Sequence, residues 1–310
     1  MNFVWITCGA AIVTAVVAVA GGYLVRGTTA VPAAAWAALA AAMLAGEAAA
    51  TAAGWLVEPA SQSAMRLVVA ALAVCPTMSL LGAKRPQHGV WQFIVATLAF
   101  VLALPAVTST LVRPGGLPDV HLLERFFLPI LVVLGWMNFA ATRHAAAAVL
   151  VAAGQLSLMW IFLPGVEQGQ PLSAGADAAA ATVVASGAVL AVVQSAWWPA
   201  GMASTTGIAG TTGMTGTAGA GSLAAIIDRP VLAMRETLGA AWTLRIAERF
   251  NSVATERGWP CRLRFTGLVV DSQAAGGLWE REAIRCVRSL LRRFASPGWL
   301  HRHGGLDTEA

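Results

Sequence analysis

The sequence predicts an all-α transmembrane helical bundle of about seven helices, followed by a small cytoplasmic α+β domain at the C-terminus. The first observation behind this prediction is composition. Of the 310 residues, 57% are apolar and only 11% are charged, whereas soluble domains carry roughly 25% charged residues. A soluble fold of this size cannot hide so much apolar surface from water, but a bilayer tolerates it. The second observation is a series of long apolar runs, and the third is an uncharged linker before an arginine-rich tail.

Seven apolar stretches have about the length that a membrane-spanning helix requires, which is close to 20 mostly apolar residues. They are residues 3–25, 31–57, 65–83, 89–112, 126–142, 145–163 and 178–198. The fifth stretch is the weakest, because it is short and contains Pro129. Short connections between the stretches suit an up-and-down bundle. We therefore assign residues 1–200 to a seven-helix transmembrane domain.

Basic residues are unevenly shared between the two sides of the predicted bundle. One side receives the C-terminal tail and Arg26, Lys84, Arg85 and Arg143, while the other receives Arg66, Arg113 and Arg125. Cytoplasmic loops are enriched in Lys and Arg. We therefore expect the C-terminus in the cytoplasm and the N-terminus outside.

Residues 201–222 are rich in Gly, Thr, Ala and Ser and carry no charge, which is typical of a flexible tether. The following residues, 223–310, contain 13 arginines and nine acidic residues. This balance predicts a basic cytoplasmic domain. It accounts for +4 of the net charge of +5 of the whole chain.

The pattern within the tail predicts its elements. Asp228 is expected to cap a helix with Pro230 in its first turn, and apolar residues then recur at helical spacing until Gly258 ends the run. Alternation over residues 261–265 and 268–270 predicts a small hairpin. A last helix is expected over residues 278–294. It carries one apolar stripe and one stripe formed by Arg281, Arg285, Arg288 and Arg292.

Three uncharged or acidic polar residues lie within the predicted spans. Glu47 lies near the middle of the second stretch, where an ionised carboxylate is costly and often serves transport or proton transfer. The alternative is a structural glutamate that joins helices among small residues. Asn138 and Gln155 are expected to form hydrogen bonds between helices, and a polar path through all three residues is the functional alternative.

Two prolines interrupt predicted spans. Pro76 follows Cys75 in the third stretch, and Pro105 lies in the fourth. Proline removes a backbone donor and kinks a helix, so we expect kinks at both positions. A hinge or gate at Pro76 is the functional alternative.

The basic residues have two interpretations each. Lys84 and Arg85 form a turn that sets topology and contacts lipid phosphates, or a docking site. The arginine stripe of the last helix faces solvent or anionic lipid, or it binds a protein partner. Nucleic acid is not expected, since no nucleic-acid-binding motif accompanies the charge.

No catalytic, metal or cofactor motif is apparent. His121 and Glu124 do not form an HExxH motif, and the spacing of Cys261, Cys286, His301 and His303 matches no zinc site. We therefore expect no metal and no cofactor. Three functions remain: an anchor that organises partners through its cytoplasmic domain, a small-solute or proton-coupled transporter that uses Glu47, and a membrane-embedded enzyme. The enzyme is the least favoured, because no catalytic residues are clustered in the sequence.

Residues 75–106 read CPTMSLLGAKRPQHGVWQFIVATLAFVLALPA and are followed by LPDVHLLERFFLPILVVLGWMNF. These stretches resemble a group of uncharacterised bacterial multi-pass membrane proteins. The tail stretch 240–268, AAWTLRIAERFNSVATERGWPCRLRFTGL, resembles their cytoplasmic end. The resemblance covers about half of the chain. It implies a bacterial inner-membrane setting and a bundle-plus-tail plan, and it assigns no activity and no functional residue.

Overall fold

The computed structural model describes residues 2–82, 88–167, 172–197, 218–271 and 277–304. These residues are mostly helical and fall into two compact units. The bundle unit comprises the described residues of Met1–Leu24, Ala30–Ala83 and Gln87–Gln194. The C-terminal unit comprises those of Val25–Thr29 and Ser195–Ala310. Lys84, Arg85 and residues 201–217 of the predicted tether lie outside the described residues.

The bundle unit is built from eight α-helices and one 3-10 turn. They are α1 (Asn2–Leu24), α2 (Val31–Ala52), α3 (Pro59–Ala73), α4 (Cys75–Leu81), α5 (His88–Leu111), α6 (Leu122–Phe139), α7 (Ala145–Leu158), the 3-10 turn Trp160–Phe162 and α8 (Ala174–Trp197). Six segments of the described chain are long and apolar enough to cross a membrane: α1, α2, α3 with α4, α5, α6 and α8. The chain is therefore a multi-pass membrane protein.

The sixth predicted span is shorter in the structure than its sequence predicted. Residues 145–163 were expected to form one helix, but α7 ends at Leu158 and the 3-10 turn follows it. The backbone tightens here because Phe162 N–H bonds to Met159 and Leu163 N–H bonds to Trp160. Leu163 is then extended before Pro164, as a residue preceding proline prefers.

The third predicted span consists of two helices in sequence. The break falls at Val74, and Pro76 lies in the first turn of α4. Proline suits that position because its missing N–H would have no helical partner there. By contrast, α5 continues through Pro105.

Large apolar side chains cover much of the outer surface of the bundle unit. Phe93, Leu111 and Leu123 are each more than 70% exposed, and many other large apolar side chains of the unit are exposed as well. A patch of this extent is not tolerated on a soluble protein, but it matches hydrocarbon. The interior is packed around fully buried Leu67 and Leu128.

Helices α7 and α8 approach each other closely through small residues. A Cβ atom added to Gly187 would lie 2.9 Å from the carbonyl oxygen of Ala147. One added to Gly154 would lie 2.8 Å from the carbonyl oxygen of Ala180. Small residues of this kind let transmembrane helices pack backbone against backbone.

The C-terminal unit consists of four helices and a hairpin. They are α9 (Ala218–Leu238), α10 (Ala240–Glu256), β1 (Cys261–Arg264), β2 (Gly267–Val270), α11 (Leu278–Leu291) and α12 (Pro297–Gly304). The strands are antiparallel, with Cys261 opposite Val270 and Leu263 opposite Leu268. The hairpin and α11 lie where the sequence predicted a hairpin and a last helix.

Three features of this unit differ from the prediction. Helix α9 begins at Ala218, so Pro230 lies inside the helix and Asp228 does not cap it. Asp228 instead accepts a hydrogen bond of 2.6 Å from the backbone N–H of Leu268. The predicted single helix also breaks at Gly239, whose φ of +82° suits glycine.

A compact core holds the C-terminal unit together. Its side chains are almost inaccessible to solvent and come from every helix and from the hairpin; they include Leu238, Phe250, Leu263, Leu291 and Trp299. Trp242 packs against Phe294 with ring centroids 5.0 Å apart. The unit also holds the connection between α1 and α2, because Thr29 N–H bonds to the carbonyl oxygen of Phe294 at 2.9 Å.

Candidate functional sites

A buried ion cluster joins four helices of the bundle unit. Arg66 on α3 donates through Nε to Glu47 Oε1 on α2 at 2.7 Å and to Oε2 at 3.0 Å. Its Nη1 and Nη2 donate to the two carboxylate oxygens of Asp177, on the first turn of α8, at 3.0 and 3.2 Å. Nη1 also donates to the carbonyl oxygen of Leu158, the last residue of α7, at 3.3 Å.

The guanidinium group suits this position because its planar fork can bind two carboxylates at once. Glu47 is 4% exposed, and the side chains of Arg66 and Asp177 are 14% and 22% exposed. A charge removed from water to this extent is stable only when it is paired and hydrogen-bonded. One guanidinium group and two carboxyl groups share the cluster, and the arginine contacts both carboxyl groups.

The cluster lies near one end of the bundle and not at its centre. Glu47 is five residues from the end of α2, Arg66 is seven residues from the start of α3, and Asp177 is three residues from the start of α8. At a rise of 1.5 Å per residue, these offsets correspond to about 5 to 10 Å. Glu47 lies about midway between the centre of α2 and its C-terminal end. Arg66 and Asp177 both lie on helices, on α3 and α8.

Gln155 and Asn138 occupy different places. Gln155 Nε2 on α7 donates to the carbonyl oxygen of Ala73 at 3.2 Å, at the point where α3 ends. That carbonyl lies at a helix terminus, where carbonyl groups need partners from outside the helix. Asn138 is half-buried one residue before the end of α6. The contacts of Gln155 are those of an interhelical tie.

A second polar contact in the bundle unit was not predicted. Gln92 on α5 accepts a hydrogen bond from Trp36 Nε1 on α2 at 2.9 Å and donates to Ser79 on α4 at 3.0 Å. Trp91 Nε1 donates to the carbonyl oxygen of Met78 at 2.8 Å. The sequence shows Gln92 as a glutamine inside an apolar run, which is a signal for a buried polar contact. Its partners could not be predicted, because they lie in other segments of the chain.

The basic helix of the C-terminal unit is amphipathic, as its sequence predicted. Val287 and Leu291 are buried in the core. On the other face, Arg281, Arg285 and Arg292 are exposed and Arg288 is half-buried. We call these four residues the arginine stripe. The first turn of α11 contains Glu280, which lies next to the positive end of the helix dipole.

A groove separates α10 from α11 on the surface of the C-terminal unit. Its volume is about 380 Å³. On one side, the groove is lined by Arg249 of α10 and by Arg257, the C-cap of α10. On the other side, it is lined by Glu282 and Arg285 of α11. Trp259, in the segment that follows α10, also lines the groove. Arg257 Nη1 lies 3.0 Å from Glu282 Oε2. The guanidinium carbon of Arg257 lies 5.7 Å from the ring centroid of Trp259.

The two cysteines of the C-terminal unit are half-buried free thiols. Burial raises the pKa of Cys261 to about 11, and the neighbouring Cys286 contributes to that rise. Burial also raises the pKa of Cys286, while Arg257 lowers it in part. Both thiols are therefore mainly protonated at neutral pH, which makes them weak nucleophiles.

The histidines near the C-terminus have structural contacts. His303 stacks on Trp299 with centroids 4.1 Å apart, and its Nδ1 donates to the carbonyl oxygen of Trp299. Burial lowers the pKa of His303. His301 is exposed. Among the described residues, no three His, Cys, Asp or Glu side chains are grouped so that they could hold a metal ion.

Comparison with known proteins gives no match: no family model matches the chain, and neither does any curated protein or solved structure. The geometry of the two units therefore carries the functional argument.

Proposed function

We propose that this protein is a multi-pass membrane anchor that presents its C-terminal unit to an acidic protein partner. The observation that carries the proposal is the construction of that unit. It has a core of its own, and it holds the arginine stripe on a rigid helix with three of the four guanidinium groups exposed. A rigid basic surface attracts an acidic surface and orients it during encounter.

The bundle unit supports an anchoring role. Its charged cluster ties α2, α3, α7 and α8 together, and each charged member binds another member. Such a satisfied cluster fixes helix positions. Gln155 and Gln92 likewise bind groups on neighbouring helices. These contacts are accounted for by the stability of the bundle, and none of them requires a transport function.

We further propose that the C-terminal unit is cytoplasmic, that the N-terminus is outside, and that the chain crosses a bacterial inner membrane seven times. The connection Val25–Thr29 belongs to the same unit as the tail. A chain that leaves one face of a membrane and returns to it has crossed an even number of times. Six helical segments lie between this connection and the tail when α7 is counted. With α1, the total becomes seven.

The proposed orientation agrees with the excess of basic residues on the tail side. Helix α7 is about 21 Å long at 1.5 Å per residue, shorter than the hydrocarbon core of about 30 Å. The turn Trp160–Phe162 extends it, and a bilayer thins locally around a short span at modest cost.

The test uses a photo-crosslinking amino acid at position 281 of the full-length protein in its native host. We expect one discrete protein adduct. Because partner and stripe attract through charge, Arg292→Glu should reduce this adduct about tenfold, which corresponds to about 1.4 kcal/mol.

The matched control is Arg264→Glu, which reverses one exposed charge on the hairpin of the same unit. It should leave the adduct at position 281 unchanged. Adducts with lipid alone, the absence of an adduct, or equal losses in both variants would contradict the proposal.

A second candidate function is solute or proton transport through Glu47. It is favoured by the presence of two carboxylates and one guanidinium inside the bundle. The variant Glu47→Gln keeps an acceptor for Arg66 but loses the charge. If purified Glu47→Gln protein in proteoliposomes lost a proton or solute flux that the wild type shows, while remaining folded, the transport function would replace the anchoring one.

A further inference from the structure

We propose that the groove between α10 and α11 is a binding site for a phosphomonoester group. This inference adds a small-ligand site to the C-terminal unit and goes beyond the proposed partner surface. It depends on three properties of the groove: its charge, the way its arginines are held, and its size.

The groove carries an excess of positive charge. Three of its nine lining residues are arginines, and Glu282 is the one acidic residue among them. Glu282 is engaged by Arg257 at 3.0 Å. Arg249 and Arg285 are exposed and form no ion pair with any described residue. The lining residues therefore carry a net charge of +2, from two guanidinium groups on facing helices.

The third arginine has two contacts within the groove. Arg257 Nη1 lies 3.0 Å from Glu282 Oε2, and the guanidinium carbon of Arg257 lies 5.7 Å from the ring centroid of Trp259. Trp259 is only 8% exposed and packs against Phe250 with centroids 5.9 Å apart. A guanidinium group fixed on an aromatic ring loses less conformational freedom when a ligand binds.

A phosphomonoester matches this charge better than other common anions. It carries about −1.5 to −2 at neutral pH and presents three acceptor oxygens. A carboxylate or a phosphodiester carries a single negative charge and would leave about one guanidinium uncompensated. Arginine binds phosphate oxygens through paired N–H groups, and the exposed hydroxyl of Ser289 on the groove wall supplies a further donor.

The size of the groove restricts the ligand. Its volume of about 380 Å³ lies at the lower end of the range for small-molecule sites, about 300 to 1,000 Å³. The phosphate can therefore belong to a soluble phosphorylated molecule or to a lipid headgroup that bears a monoester. Both sources offer the same chemistry, and the experiment distinguishes them.

Cys286 provides the readout, because it lines the groove and is half-buried. In full-length protein purified in detergent, with Cys8, Cys75 and Cys261 replaced by alanine, alkylation of Cys286 is followed at pH 8. We expect inorganic phosphate to slow alkylation at least threefold and saturably, compared with potassium chloride at the same ionic strength. The variant Arg249→Gln/Arg285→Gln should lose this protection.

The control variant is Arg262→Gln/Arg264→Gln, which removes two exposed arginines from the hairpin. It should keep the protection. Single Arg249→Lys and Arg285→Lys variants should show intermediate protection. They retain the positive charge but lose the paired N–H donors of the guanidinium group. Thermal unfolding of each variant, followed by tryptophan fluorescence, shows whether its fold is retained.

A second arm uses vesicles without added phosphate. Protection in vesicles that contain phosphatidic acid, a monoester, but not phosphatidylglycerol, a diester, identifies a lipid source. Protection by dissolved phosphate alone identifies a soluble source. The inference is overturned if neither phosphate nor phosphatidic acid protects Cys286, or if the groove and hairpin variants behave alike.

Discussion

Arg66 in the bundle unit and Arg281 in the C-terminal unit are the same residue type on helices, but their surroundings differ in every respect. The guanidinium group of Arg66 binds two carboxylates and a backbone carbonyl, and its side chain is 14% exposed. Arg281 is exposed and forms no ion pair with the described residues. In hydrocarbon a charge must find its partner within the protein, whereas water allows a charge to remain available for another molecule.

The two interiors differ as well. Helices α7 and α8 meet through glycine and alanine, with backbones in close approach. The C-terminal unit instead fills its centre with large side chains such as Phe250 and Trp299. Lipid tails are as apolar as leucine, so burial of large side chains drives little association between membrane helices, and close contact takes its place. In water, by contrast, the burial of large apolar side chains does drive association.

The largest expected effect is that of Arg66→Leu. This change leaves the carboxylates of Glu47 and Asp177 without their cation inside the bundle. Removal of one partner from a buried ion pair costs about 3–5 kcal/mol. We expect a large loss of monodisperse protein in size-exclusion chromatography and a lower thermal midpoint in detergent.

The control for this prediction is Arg113→Leu, which removes an exposed arginine after α5. It should leave the midpoint almost unchanged. The triple variant Arg66→Gln/Glu47→Gln/Asp177→Asn replaces the charges by neutral hydrogen-bonding groups and should recover part of the stability. If Arg66→Leu were as stable as Arg113→Leu, the cluster would not hold the bundle together.

An intermediate effect is expected for Gly187→Val, which tests the close approach of α7 and α8. The added side chain meets the carbonyl oxygen of Ala147 and the side chain of Val151. Overpacking of this kind costs about 1–3 kcal/mol. Gly46→Ala is the matched control, because a Cβ atom there has nothing within 4 Å. Thermal unfolding in detergent measures both, and equal midpoints would show that α7 and α8 have room to separate.

The apolar spans were accessible from sequence because each is a local property of about 20 residues. Their ends and partners were not. The predicted stretch 65–83 includes Arg66 at its edge, whereas Asp177 falls one residue before the stretch 178–198. The two partners of Arg66 are distant along the chain, since Glu47 is 19 residues away and Asp177 is 111 residues away. Only the fold brings these three charges together.

In the C-terminal unit, too, local features were predictable from the sequence and contacts between distant segments were not. Periodicity placed the hairpin and α11, because alternation and amphipathicity are local signals. Helix α12 was missed, although Ser296 followed by Pro297 is a helix-start signal and Ser296 Oγ accepts from the N–H of Trp299 at 3.2 Å. The groove could not be predicted, since Arg249 and Arg285 line it from two helices that are separate in the sequence.

The smallest expected effect on stability is that of Arg281→Gln. The side chain is exposed on the first turns of α11, where it supports neither the core nor an ion pair with the described residues. Surface substitutions of this kind usually change the free energy of unfolding by less than about 0.5 kcal/mol. Thermal unfolding should therefore match the wild type, while partner binding, measured as the adduct formed by a photo-crosslinking residue at position 292, should decrease. A stability loss comparable to that of Arg66→Leu would mean that the arginine stripe supports the fold, and the contrast between the two units would fail.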